Sequence, residues 1–117
     1  MGDGLSFDRE SFMSLIEGDK ELFLSLLTLF EDDWPQLVEK IRSALQKGDK
    51  QTVEAMSHRL KGNLRNFYAN QAAGLAQILE DAGKQGELDG KEPVLDDLVT
   101  QLNQVQADLR LFLKEMN

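Results

Sequence analysis

The chain has 117 residues, a net charge of −8, 41% apolar and 29% charged residues, and no cysteine, which suits one globular domain around one core. The acidic balance opposes a nucleic-acid backbone as the main partner, because such binding needs a concentrated basic surface. No apolar run approaches the roughly 18 residues of a membrane span, no charged start followed by an apolar stretch marks a secretion signal, and the missing thiols exclude a disulfide framework and fit a reducing, cytoplasmic setting.

Residues 1–5 read as a disordered start or an expression remnant, and residues 6–117 as the domain. Phe7, Phe12, Leu15 and Ile16 predict a short first helix with Ser6 or Asp8 as its N-cap, ended by Gly18-Asp19. From Lys20 to Lys47, Phe23, Leu27, Phe30, Trp34, Leu37, Ile41 and Leu45 recur every three or four residues. Pro35 interrupts this run, and its ring clashes with the carbonyl of Glu31. The apolar stripe stays in phase across it, so one long kinked helix is expected, with two abutting helices as the alternative.

Gly48 stops that helix and Asp49 caps the next, from about Lys50 to Phe67, with Val53, Met56, Leu60, Leu64 and Phe67 inward. Asn70 is expected to cap a helix from Gln71 to about Gln85, with Ala72, Leu75, Leu79 and Ala82 inside. After a loop over residues 86–90, Pro93 fits the first turn of a last helix carrying Leu95, Leu98, Leu102, Val105, Leu109, Phe112 and Met116. The fold class is all-α: an antiparallel up-down four-helix bundle with a short extra N-terminal helix. A coiled-coil dimer through the last helix is the competing use of its repeat, but the other helices also need a face to bury, so a monomer is expected. Trp34, Phe30, Phe67 and Phe112 read as core, and Glu31-Asp32-Asp33 as solvated helix surface.

The single histidine, His58, stands apart. At ~100° per residue it projects roughly 150° from the centre of its own helix's apolar stripe. Glu54, Lys61, Gly62 and Arg65 share that outer face, and Arg59, Lys61 and Arg65 put three of the 13 basic residues within one short stretch. A small positive spot on an acidic protein suits one phosphoryl group better than a polymer. Lys61 is placed to neutralise such a group on the ring. Gly62 costs about 1 kcal/mol of helix propensity relative to alanine, and on an outer face it leaves room for an approaching partner.

A histidine nucleophile needs one ring nitrogen bare and the other holding a proton on an acceptor. Glu80, at the edge of the inner face of the following helix, is the candidate acceptor; an ordinary boundary carboxylate is the other reading. Gln77, one turn earlier, can line the same groove. Metal ligation is poorly supported: Glu54 and His58 supply two ligands, but no second histidine or cysteine completes a site. No glycine-rich nucleotide loop is present, so no ATP site is expected, and a hydrolase triad has no enclosing pocket here.

His58-Arg59-Leu60-Lys61-Gly62 resembles the His-x-Leu-Lys-Gly signature of histidine-containing phosphotransfer (HPt) domains. The likeness extends over Gly18-Asp19, the Phe30 region, Pro35, Ala44-Leu45 with Gly48-Asp49, Asn66-Phe67-x-Ala69 and Leu79-Glu80. It implies a phosphorelay intermediate. His58 would be phosphorylated on its outer ring nitrogen, Lys61 would steady the phosphoryl group, Gly62 would admit the partner, and Glu80 would hold the inner nitrogen. Gln77 faces the histidine in some members. Implied partners are response-regulator receiver domains and a sensor or hybrid histidine kinase. No cofactor is expected on this chain, and Mg2+ belongs to the receiver. Two positions depart from the family pattern, Asn63 after Gly62 and Tyr68 where many members have glycine; Tyr68, placed near the end of the histidine face, bears on partner choice more than on transfer. The rival function is a helical docking or inhibitory module without phosphotransfer. The length allows either a standalone protein or a piece of a larger sensor kinase.

Overall fold

A computed structural model describes residues 6–116, and the start expected over residues 1–5 lies outside them. Five helices follow one another: α1 (Arg9–Ile16), α2 (Lys20–Lys47), α3 (Lys50–Asn66), α4 (Asn70–Gln85) and α5 (Glu92–Glu115). Three begin on aspartates whose carboxylates accept free amide groups of the first turn. Asp8 takes the amide of Ser11 at 3.1 Å, Asp19 that of Leu22 at 3.0 Å, and Asp49 that of Thr52 at 3.2 Å. Ser6 is not a cap. Its amide and hydroxyl both donate to Oδ2 of Asp108, at 3.0 and 2.8 Å, and this ties the chain start to α5. Asn70 is not a cap either: it is the first residue of α4, whose N-cap is Ala69 with no side-chain bond.

α3 ends in a way the sequence does not advertise. The amide of Ala69 donates to Leu64 O at 3.0 Å and that of Tyr68 to Arg65 O at 2.9 Å. This Schellman pattern needs a left-handed residue at its centre, and Tyr68 supplies it at φ 57°. Glycine would take that conformation without the Cβ penalty that Tyr68 bears.

α2 is one continuous helix across Pro35, which decides against two abutting helices. The interhelical pairs give the topology. Glu31 meets Arg110 while Arg42 meets Asp96, so α2 and α5 run antiparallel. Asp33 meets Arg59 and Phe30 meets Phe67, which sets α3 antiparallel to α2. His58 and Lys61 meet Glu80 and Gln77, which reverses α4 again. Each long helix packs on two neighbours in the cycle α2, α3, α4, α5. Leu95, Leu98, Leu102, Val105 and Leu109 are fully buried within this one chain, so α5 spends its repeat inside the bundle rather than on a second copy.

The core has two textures. At one end α1 lays Phe12 against Phe23 and Phe67, at centroid distances of 4.8 and 5.3 Å, while Phe7 and Phe23 flank Phe112 at 5.8 and 5.7 Å. Between α3 and α4 the filler is small: Ala72, Ala73, Ala76, Ala82 and Gly83 are all buried. A Cβ on Gly83 would stand 2.5 Å from the amide nitrogen of Glu54 and 2.8 Å from the carbonyl oxygen of Lys50, so the two backbones nearly touch. Leu45, Met56, Leu75 and Met116, expected inside, are only partly buried, and buried Ser57 and Lys61 take places on α3 that the apolar stripe did not assign. The run Glu31-Asp32-Asp33 is not simply solvated, because two of its three carboxylates bridge to other helices.

Two glycines of α4 give opposite expectations. Gly83→Ala forces α3 and α4 apart and costs about 1–3 kcal/mol, whereas Gly74→Ala, with nothing within 4 Å of the new Cβ, gains up to about 1 kcal/mol of helix propensity. Urea unfolding of the two variants measures both, and equal effects would contradict the close α3–α4 approach.

Candidate functional site

The close approach of α3 and α4 carries the site. His58 sits on the exposed side of α3 with its side chain 67% accessible, and its Nδ1 lies 3.2 Å from Oε2 of Glu80, a carboxylate only 7% accessible. Glu80 stands on α4 directly behind the ring. A neutral imidazole that donates from Nδ1 to this oxygen keeps Nε2 bare and turned to solvent. The structure thus puts Glu80, the expected acceptor, within hydrogen-bond distance of the ring.

Lys61 does not lie on the outer face. Its side chain is 11% accessible and folds into the α3–α4 seam, where Nζ is 2.7 Å from Oε1 of Glu80 and donates to Oε1 of Gln77 at 2.9 Å. A helical wheel assigns a direction to Cα–Cβ, but a four-carbon stem can turn back along its own helix and bury itself. Gln77 passes the chain of bonds on, donating from Nε2 to Asp81 at 2.9 Å. Glu80 therefore uses one oxygen for Lys61 and the other for His58. Burial alone would raise its pKa; hydrogen bonds from Lys61 and His58, with their positive charge, outweigh burial and leave the carboxyl below its ordinary value.

The remaining predicted residues divide. Gly62 is exposed, and a Cβ added to it would meet nothing within 4 Å, so close packing does not explain it. Arg59 is turned toward α2 and pairs with Asp33 at 3.0 Å, while Asn63 Nδ2 donates to the other oxygen of that carboxylate at 2.9 Å. Arg65 is exposed two turns beyond His58. Glu54 is half-buried and shares no bond with the ring among the described residues; its backbone is what meets Gly83. Tyr68 lies past the end of α3, half-buried against the core, and is not brought to His58. The expected positive spot is thus largely neutralised, since Arg59 and Lys61 both spend their charge on carboxylates.

One cation escaped the sequence reading. Lys84, 59% accessible, places Nζ 4.0 Å from Oε2 of Glu80, the oxygen that also faces His58. The spacing Glu80-x-x-x-Lys84 was the available signal, since residues four apart on a helix are neighbours. Beside the site, on the Arg59 flank, a groove of about 370 Å³ opens between α2 and α3, floored by Phe30 and Phe67 and edged by Leu26, Leu29 and Asn63.

A helical bundle that presents one exposed imidazole, backed by a buried carboxylate and fronted by a bare glycine, defines a histidine-based transfer module. Comparison with known proteins places it. The family model for the Hpt domain matches residues 25–108. The solved structure of histidine-containing phosphotransfer protein B (HptB) from Pseudomonas aeruginosa PAO1 superposes with a TM-score of 0.88 at 23% identity, over 98% of this chain and all of that one. No curated protein matches. The chain belongs to the Hpt family, the histidine phosphotransfer intermediates of two-component phosphorelays. No helix among the described residues is long and apolar enough to cross a membrane.

Removing the charge behind the ring tests this geometry. Glu80→Gln leaves the Lys61 ammonium without its counter-charge and is expected to cost about 3 kcal/mol at neutral pH, or somewhat less because Lys61 keeps one edge in water. Because the folded pKa of Glu80 is depressed, its contribution is complete above the ordinary value of 4.5 and disappears as pH falls through the lower folded value. Urea midpoints of parent and variant should therefore converge in acid. A gap that stays constant as the medium is acidified contradicts the ion pair.

Proposed function

We propose that His58 is the phosphoacceptor of this Hpt domain, taking a phosphoryl group from the aspartyl phosphate of a receiver domain, or from a histidine kinase, and passing it to the aspartate of a response regulator. The observation that carries this is the Nδ1 contact to buried Glu80 on an imidazole whose side chain is 67% accessible, one helical turn from the open Gly62.

In the forward step the Nε2 lone pair attacks phosphorus in line. The bond from phosphorus to the donor carboxylate oxygen breaks, and that carboxylate leaves with the electron pair. The new phosphoimidazole keeps its Nδ1 proton, so the ring becomes cationic, and the Glu80 carboxylate opposite Nδ1 stabilises that charge. No proton needs to move between residues. Transfer onto a second receiver is the same sequence reversed. Catalysis by this chain consists of placement: a ring fixed from behind, and a flank at Gly62 with no side chain, which lets the partner's acidic pocket close on Nε2. Mg2+ would be contributed by the receiver. The chain would act as a covalent carrier with no ATP site or cofactor of its own, in the cytoplasm and as a monomer.

The groove between α2 and α3 supports a docking role on the Arg59 side, because exposed Leu29, 67% accessible, and the apolar floor at Phe30 suit a helix of the partner.

Phosphorylated receiver domains mixed with the protein should yield acid-labile, base-stable phosphate on the parent and none on His58→Gln. Gly62→Leu should keep or raise stability, since the position is open, yet slow transfer on the order of 10- to 100-fold by obstructing the approach. Phosphate on His58→Gln at the parental level sinks the assignment.

A further inference from the structure

We propose that α1 shapes the surface on which the receiver docks, with Phe12 as the positioning residue that supports Phe67 in the floor of the groove between α2 and α3. This rests on that groove being the receiver's docking surface.

The groove is continuous with the transfer point. Two of its lining residues, Arg59 and Asn63, directly follow His58 and Gly62 in the chain. A receiver whose aspartate reaches Nε2 therefore comes down over this edge as well. Two rings make the floor, Phe30 and Phe67, with centroids 5.1 Å apart. Phe30 lies well inside the long α2, which fixes its place. Phe67 has no such support. It is the C-cap of α3, and the left-handed Tyr68 follows it. Helix ends fray, so a ring at this position depends on what packs against it from outside.

α1 supplies that support twice. Phe12, fully buried and not itself part of the groove lining, packs on Phe67 at 5.3 Å. The amide of Asp8 donates to the carbonyl of Tyr68 at 3.0 Å and holds the backbone next to the same ring. Phe12 is set in turn by Phe7 and Phe23, at 6.2 and 4.8 Å. Arg9 ties α1 to α5, pairing with Glu115 at 3.3 Å and lying 4.5 Å over the Phe112 ring. A close-packed interior passes a change of shape to its neighbours. Loss of the Phe12 ring therefore displaces Phe67 and reshapes the groove floor. The α3–α4 seam that holds His58 and Glu80 lies outside this contact, because α1 is not part of the four-helix cycle.

The test separates docking from chemistry. Transfer to the full chain is followed from a phosphorylated receiver domain over a range of receiver concentrations, and separately from phosphoramidate, a donor too small to use the groove. Phe12→Leu should raise the half-saturating receiver concentration about 3- to 10-fold. Its rate at saturation and its rate from phosphoramidate should stay at the parental level. Leu95→Ala, a cut in the buried core beside the pair of Arg42 with Asp96, controls for lost stability and should leave all three readings unchanged. Leu29→Ser, at the exposed edge of the groove, should raise the half-saturating concentration by removing a direct contact. If Leu29→Ser does so and Phe12→Leu does not, the inference is overturned. It is overturned also if Leu95→Ala matches Phe12→Leu, or if Phe12→Leu slows phosphorylation by phosphoramidate. Parental half-saturation in Leu29→Ser overturns instead the docking role of the groove on which the inference rests.

Discussion

The ion pair between Lys61 and Glu80, enclosed where α3 and α4 come closest, is the interaction from which the rest of the site follows. It exists because Gly83 and a set of alanines let the two backbones approach. At a wider separation the carboxylate would be hydrated, and Lys61 would have no reason to fold inward. With the pair closed, Glu80 has one oxygen left, and that oxygen lies behind the only histidine. Packing of small residues thus becomes control of one imidazole. A buried ion pair is weak evidence for stability, since desolvation takes back much of the Coulombic gain; here its use is to hold a charge in place.

The remainder of the bundle isolates this seam. The aromatic end, closed by α1, fixes the far end of α3 through Phe12, Phe67 and the backbone bond from Asp8 to Tyr68. The bridge from Asp33 to Arg59 and Asn63 ties the other flank of α3 to α2. The helix that carries His58 is therefore held on both sides, and Glu80, enclosed in the seam, is the side chain that contacts the ring from behind. The outer edge of the ring, Gly62 and Lys84 remain open to a partner.

Much of this was legible from the chain. Apolar spacing placed all five helices, and the outward direction of His58, the open Gly62 and the boundary position of Glu80 could be read from periodicity. The failures share one physical origin. Periodicity reports the direction of Cα–Cβ and nothing about a partner on another helix. Lys61 looked exposed because its stem was assumed to continue outward. Asp33 looked solvated because Arg59 and Asn63 lie on another helix, far along the chain. The end of α3 was placed to within a residue, and only the left-handed conformation that tyrosine takes there had no signal in the sequence. Lys84 differs: its spacing from Glu80 was visible, and only the significance of Glu80's second oxygen was missing.

If Glu80 fixes the protonation pattern of His58 before any partner arrives, that pattern is directly observable. Long-range proton–nitrogen correlation NMR of the unphosphorylated protein, at a pH where the ring is neutral, reads it. The expected result is a proton on Nδ1 and a bare Nε2. A ring with its proton on Nε2, or one averaging freely between the two tautomers, would contradict the role assigned to Glu80.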